Sequence, residues 1–195
     1  MKEGVGGDNF AIAWKYPGKE RGVISADFSR VVNPYQVVGA NLDTWTGIGG
    51  TSIADLMSGT NNLSNAPQIS DRLQGVLEAP TNANDNYGSR MSGWLVAPVT
   101  ADYQFFIASD DNGEFWLSTD GDPDNKVLIC RQPYSISPRW WDAYSEQKSE
   151  LISLEAGQSY YYEVRLVCVG TVFIFLLLLI LVSLMHSSPL FDRHS

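Results

Sequence analysis

Short apolar runs separated by Gly, Pro, Asp and Asn dominate the chain from Gly88 onward. The runs at 91–97, 103–108, 114–118, 127–130, 151–154 and 159–166 are rich in β-branched and aromatic residues, and each is about the length of one strand. Many short strands at this spacing predict an all-β fold, an antiparallel sandwich or barrel. Residues 10–14, Phe-Ala-Ile-Ala-Trp, predict one more short buried strand near the start. The pattern is weaker elsewhere. Residues 31–45 read as a connector with Asn33-Pro34 as a turn signal, and 47–80 as irregular, with one helical turn at 52–57 and a loop at 61–67.

The pattern changes character after Arg165. Residues 166–185 carry no charge, and 15 of these 20 are Leu, Ile, Val or Phe. At about −0.4 kcal/mol each near the centre of a span, they favour insertion by roughly 6 kcal/mol. The length suits a hydrocarbon core of about 30 Å. The expectation is a β domain followed by one C-terminal transmembrane helix, with a short tail at 186–195. Met1 to Gly7 is polar and glycine-rich and lacks the apolar stretch of a signal peptide. A helix so near the end would insert as a tail anchor and leave the domain in the cytosol, where the Asn62-Leu63-Ser64 sequon would go unglycosylated.

Charge and rare residues exclude several chemistries. The net charge is −9, and the residues after Arg165 hold one acid, Asp192, against one base, Arg193, so the domain keeps the whole imbalance. Nucleic acid, which needs Lys and Arg against phosphate, is not a partner. The only histidines, His186 and His194, follow the apolar segment. Imidazole-based nucleophilic triads and His metal sites are thereby absent from the domain, and no enzyme activity is expected. Cys130 in the domain and Cys168 in the apolar segment do not make a disulfide framework. Trp140-Trp141 falls in a loop-like stretch, as an exposed pair or as a lid over a sheet edge.

Asp110-Asp111, between the 103–108 and 114–118 strands, is the candidate site. Adjacent carboxylates repel unless something offsets their charge. Ca²⁺, with about six to eight oxygen ligands, does so. A solvated Asp-Asn-Gly turn is the plainer reading of the same residues.

Several motifs occur together in a recognisable order. They are Trp45-Thr46-Gly47-Ile48-Gly49-Gly50-Thr51, Asp85-Asn86-Tyr87-Gly88-Ser89-Arg90, Gly93-Trp94-Leu95-Val96-Ala97-Pro98 and Ala108-Ser109-Asp110-Asp111-Asn112-Gly113-Glu114-Phe115-Trp116. This order, over about residues 41–166, resembles the PA-fourteen domain, named for anthrax protective antigen. The resemblance implies a β-sandwich or barrel. It also implies, as in fungal flocculins and related adhesins, an Asp pair joined by a cis peptide that binds Ca²⁺, which in turn holds sugar hydroxyls. Asp110 and Asp111 match that pair. The family's second ligand loop matches Gly7-Asp8-Asn9, so Asp8 and Asn9 are further candidate metal ligands.

The resemblance places the N-terminal segment out of order. Residues 1–14 look like the family's last hairpin, which there follows a strand like Tyr160-Tyr161-Tyr162-Glu163-Val164-Arg165-Leu166. Either residues 1–30 end a preceding repeat and 31–166 form the next, or the first residues fold back as in a permuted domain, pairing beside the 159–166 strand. The functional expectation is a calcium-supported carbohydrate-binding or adhesion module, extracellular and membrane-attached through residues 166–185, with glycans as partners. A ligand-free spacer and a non-catalytic accessory domain of a glycoside hydrolase are the alternatives.

Overall fold

Strand 101–110 shows how the chain builds its layers. Tyr103, Phe105 and Ile107 point into the space between two sheets, while Phe106 and Ala108 point to the opposite face and are buried too. A strand covered on both sides needs a near-continuous apolar run, and Phe105-Phe106-Ile107-Ala108 supplies it. The computed structural model of the chain describes residues 9–30, 39–80 and 85–169.

In chain order the strands are β1 (Asn9–Tyr16), β2 (Lys19–Val23), β3 (Ser29–Arg30), β4 (Ala40–Thr46), β5 (Ile69–Leu73), β6 (Glu78–Ala79), β7 (Tyr87–Val96), β8 (Ala101–Asp110), β9 (Gly113–Ser118), β10 (Lys126–Gln132), β11 (Ile152–Leu154) and β12 (Ser159–Cys168). Among the described residues one α-helix, α1 (Ile53–Ser58), interrupts them. Two antiparallel sheets form a sandwich. One has five strands in the order β11-β8-β1-β2, with β6 also on β1. The other has seven in the order β10-β9-β12-β7-β4-β5, with β3 also on β7. Phe10, Ile12 and Trp14 of β1 meet Phe115, Tyr162, Val164, Met91 and Leu95 in the shared core. The outer face of the first sheet is covered by a lid from the loop after β10, through Ile136 and Trp141. Arg21 clamps this lid with both guanidinium nitrogens on Asp142, at 2.6 and 2.7 Å. Arg139 does the same on Glu78, at 3.0 and 2.6 Å.

Four expectations change. The 31–45 connector contains β4, whose Ala40, Leu42 and Thr44 face inward while the polar Asn41 and Asp43 alternate with them and mask the signal. The irregular 47–80 region holds β5 and β6 besides α1. The first residues of the expected membrane helix are strand: Leu166, Val167 and Cys168 end β12 and are buried, so Cys168 is a core residue. Among the described residues no helix is long and apolar enough to cross a membrane, and residues 170–185 lie outside them. Finally, β1 does not pair with the 159–166 strand. That strand has β9 on one side and β7 on the other. The free edge was that of β8, and β1 takes it from Asn9↔Asp110 to Lys15↔Gln104. Of the Trp140–Trp141 pair, Trp140 is exposed, and Trp141 is buried in a lid that covers a sheet face rather than an edge.

Candidate functional site

The crossover from β8 to β9 carries the chain from one sheet to the other within three residues. Asp110 ends β8, Gly113 opens β9, and Asp111 and Asn112 lie between. The peptide bond joining Asp110 to Asp111 is cis, as the resemblance implies. Hydrogen bonds hold the corner on several sides. Asp111 N–H donates to the Val167 carbonyl at 2.9 Å, and Val167 N–H donates to the Asn112 carbonyl at 3.0 Å. Ser109 Oγ donates to the Asp111 carbonyl at 2.9 Å. One oxygen of the Asp111 carboxylate, Oδ2, accepts from Val169 N–H at 3.0 Å.

Gly113 is required by space rather than by turn conformation. A Cβ there would lie 2.6 Å from Ser109 Oγ and 3.0 Å from Ile107 Cδ1. The glycine that made Asp-Asn-Gly look like an ordinary turn is therefore a close-approach residue under the corner.

Asn9 is the third candidate residue. It is the register partner of Asp110 and is 2% exposed. Its Nδ2 donates to the Ile136 carbonyl at 3.4 Å, which sets the amide between β8 and the lid. The lid is tied in turn by Ile136 N–H to the Ser109 carbonyl, at 3.4 Å. Three stretches distant in sequence thus converge on the Asp pair: the start of β1, the lid at Ile136 and the end of β12. Asp8 and Gly7 lie outside the described residues.

The donors gathered here are oxygens: two carboxylates, an amide and nearby backbone carbonyls. This set suits a hard cation such as Ca²⁺ and offers no soft ligand for zinc. Among the described residues no group of three or more His, Cys, Asp or Glu converges, so protein carboxylates alone do not fill a coordination sphere. Gln132, across the register from Gly113, is 1% exposed. Its Nε2 donates to the Tyr134 carbonyl, and its Oε1 has no hydrogen-bond partner among the described residues. The lid and the β12 end had no signal in the sequence, because their contribution is a carbonyl or N–H that any residue type supplies.

Together these features define an antiparallel β-sandwich domain with an Asp pair at the crossover between its two sheets. The PA14 domain matches residues 64–185, more than half of the chain, and the chain belongs to that family. That match extends past β12 into residues 170–185. Over 82 residues the chain is 35% identical to human Fibrocystin-L, covering 42% of this chain and 2% of that protein. Over 82 residues it is 38% identical to mouse N-acetyl-beta-glucosaminyl-glycoprotein 4-beta-N-acetylgalactosaminyltransferase 1, covering 40% of this chain and 8% of that protein. Over 85 residues it is 29% identical to dog Fibrocystin, covering 40% of this chain and 2% of that protein. The chain thus spans only a small fraction of these relatives.

Proposed function

We propose that this domain is a non-catalytic carbohydrate-binding or adhesion module, displayed outside the cell, whose site at Asp110 and Asp111 takes Ca²⁺ and presents it to the hydroxyls of a glycan. The observation that carries the reading is Asn9 set in register against Asp110, beside the cis-linked pair. Asp110 and Asp111 supply the charge, and Asn9 and nearby carbonyls supply neutral oxygen. Asp8 precedes Asn9 directly and is the further acid that the set requires. Ca²⁺ would neutralise the carboxylate repulsion and offer open positions to a diol. The name of one relative, a transferase acting on glycoproteins, agrees with a glycan context.

Thermal melting with and without Ca²⁺ tests the metal. Saturation at about 100 times the Kd stabilises the fold by about 2.7 kcal/mol. The response disappears in Asp110→Ala and falls in Asn9→Ala. A wild-type melting temperature indifferent to Ca²⁺, or equal shifts in Asp110→Ala, sinks the metal reading. A glycan array read with Ca²⁺ and again with EGTA then tests the ligand, with chelator-sensitive binding expected. A spacer without ligand is the second reading. It is favoured by the hydrogen bond that already engages Asp111 Oδ2, and it predicts no response in either assay.

A further inference from the structure

The chain holds a single Asn-X-Ser/Thr sequon, Asn62-Leu63-Ser64, in the loop that leads from α1 to β5. The loop is pinned from below. Leu63 packs on the patch of Trp45, Ile48, Leu56 and Val167. Its N–H donates to the Leu56 carbonyl at 3.2 Å. The buried Trp45 indole N–H donates to the Asn65 carbonyl at 3.1 Å. Anchoring at Leu63 leaves Ser64 and Asn65 exposed and Asn62 half-buried. The Asn62 side chain is turned along the loop: Oδ1 accepts from Ser64 N–H at 2.8 Å, and Nδ2 donates to the Gly59 carbonyl at 2.7 Å.

We infer that Asn62 carries an N-linked glycan. The chemistry uses both features of the side chain. Nδ2 attacks the anomeric carbon of a lipid-pyrophosphate oligosaccharide, the bond from that carbon to the pyrophosphate oxygen breaks, and the lipid pyrophosphate leaves as one Nδ2 proton is lost. The product amide keeps one N–H, sufficient for the Gly59 bond, and keeps Oδ1 for Ser64. The turn closed by Ser64 N–H on Oδ1 is therefore compatible with the modified residue. Modification in the native cell rests on the extracellular reading above, because the transferase works only in the secretory lumen.

The test separates the two. The full chain is expressed behind a secretory leader and an N-terminal tag that bears its own accessible sequon, in a eukaryotic secretory cell. The tag reports lumenal entry. Two glycosidase-sensitive mobility steps are expected in the wild type. Asn62→Gln and Ser64→Ala each leave one, and Ser64→Thr keeps both. Ser64→Ala retains the backbone N–H bond and removes only the hydroxyl, so it isolates the sequon from the turn. A glycosylated tag with a wild-type pattern identical to that of Asn62→Gln overturns the site and leaves the extracellular reading untouched.

Discussion

At the scale of single residues, the crossover depends on one small residue and one amide. Gly113 sits where a Cβ would press on Ser109 Oγ at 2.6 Å and Ile107 Cδ1 at 3.0 Å, both on β8. Gly113→Ala must push the crossover away from β8, and overpacking of this kind costs about 1–3 kcal/mol. Because the same shift moves Asp111, the variant should also weaken the proposed calcium response, which Asp110→Ala is expected to abolish. Urea unfolding with and without Ca²⁺ measures both, and a variant as stable and as responsive as wild type refutes the close-approach role. Asn9 is the complementary case. It belongs to a motif that the resemblance marked as a ligand loop, and the structure sets it opposite Asp110 although about a hundred residues of chain separate them. The Asp pair stands out from side-chain chemistry, and Asn9 only through the resemblance. Ile136 and Val169 could not, because they act through backbone atoms.

At the scale of elements, β1 closes the first sheet, filling both the shared core and the space under the lid. Phe10, Ile12 and Trp14 face the core, and Ala11 and Ala13 face Ile136 and Trp141. Phe10→Ala should cost about 3–5 kcal/mol, the usual range for removing a buried aromatic ring. It should also blunt the calcium response by loosening Asn9 beside it, as melts of the variant with and without Ca²⁺ would show. Strand β12 imposes a pH limit. Burial, with the neighbouring Glu163 charge second, pushes Tyr161 up to about 12. Burial pushes Tyr162 higher, against the pull of its hydrogen bond with Ser29 at 2.9 Å. Unfolded tyrosine ionises near pH 10. The folded chain therefore holds these protons where the unfolded chain has lost them. This stability is fully present below about pH 10 and declines as pH rises from there toward the folded values. Tyrosinate absorbance should rise in two stages, the later one coinciding with loss of β-sheet circular dichroism. Smooth titration of all tyrosines near pH 10 with the sheet intact would contradict it. Strands buried on one or both faces were readable from apolar periodicity, as β1, β7, β8, β9 and β12 show. The strand β4 was not, since its outward Asp43 makes an ion pair with Arg90 at 2.8 Å and reads as loop composition. Edge strand β5 was hidden for the same reason, being mostly exposed.

At the scale of the whole molecule, the chain enters and leaves the described sandwich at one corner. Asn9 is the register partner of Asp110, and Val169 N–H is bound to the carboxylate of Asp111. Apolar length alone misplaced the start of the expected helix, because a long uncharged run does not mark where a buried strand stops; β12 extends to Cys168. The resemblance placed a hairpin like residues 3–14 directly after a strand like 159–166, and the structure supplies the geometric reason. The end of β12, where Val169 N–H binds Asp111, lies at the slot beside β8 that β1 fills. The two orders of connection should therefore give one fold. A permuted chain can be built by joining Val169 to Asn9 through a short Gly-Ser linker, with new ends opened between β3 and β4. A few residues at about 3.3–3.6 Å each reach across neighbouring strands. Chain ends that lie close together commonly tolerate such rewiring. The permuted protein should show the same far-ultraviolet spectrum as the original, a single cooperative melt, and the same loss of calcium response on Asp110→Ala. If it is unfolded while the original order folds, β1 is held by its link to β2 and β3, and the corner is only a meeting point. If it folds but no longer responds to Ca²⁺ where the original does, residues before Asn9 belong to the site, with Asp8 the first to test by restoring it within the linker.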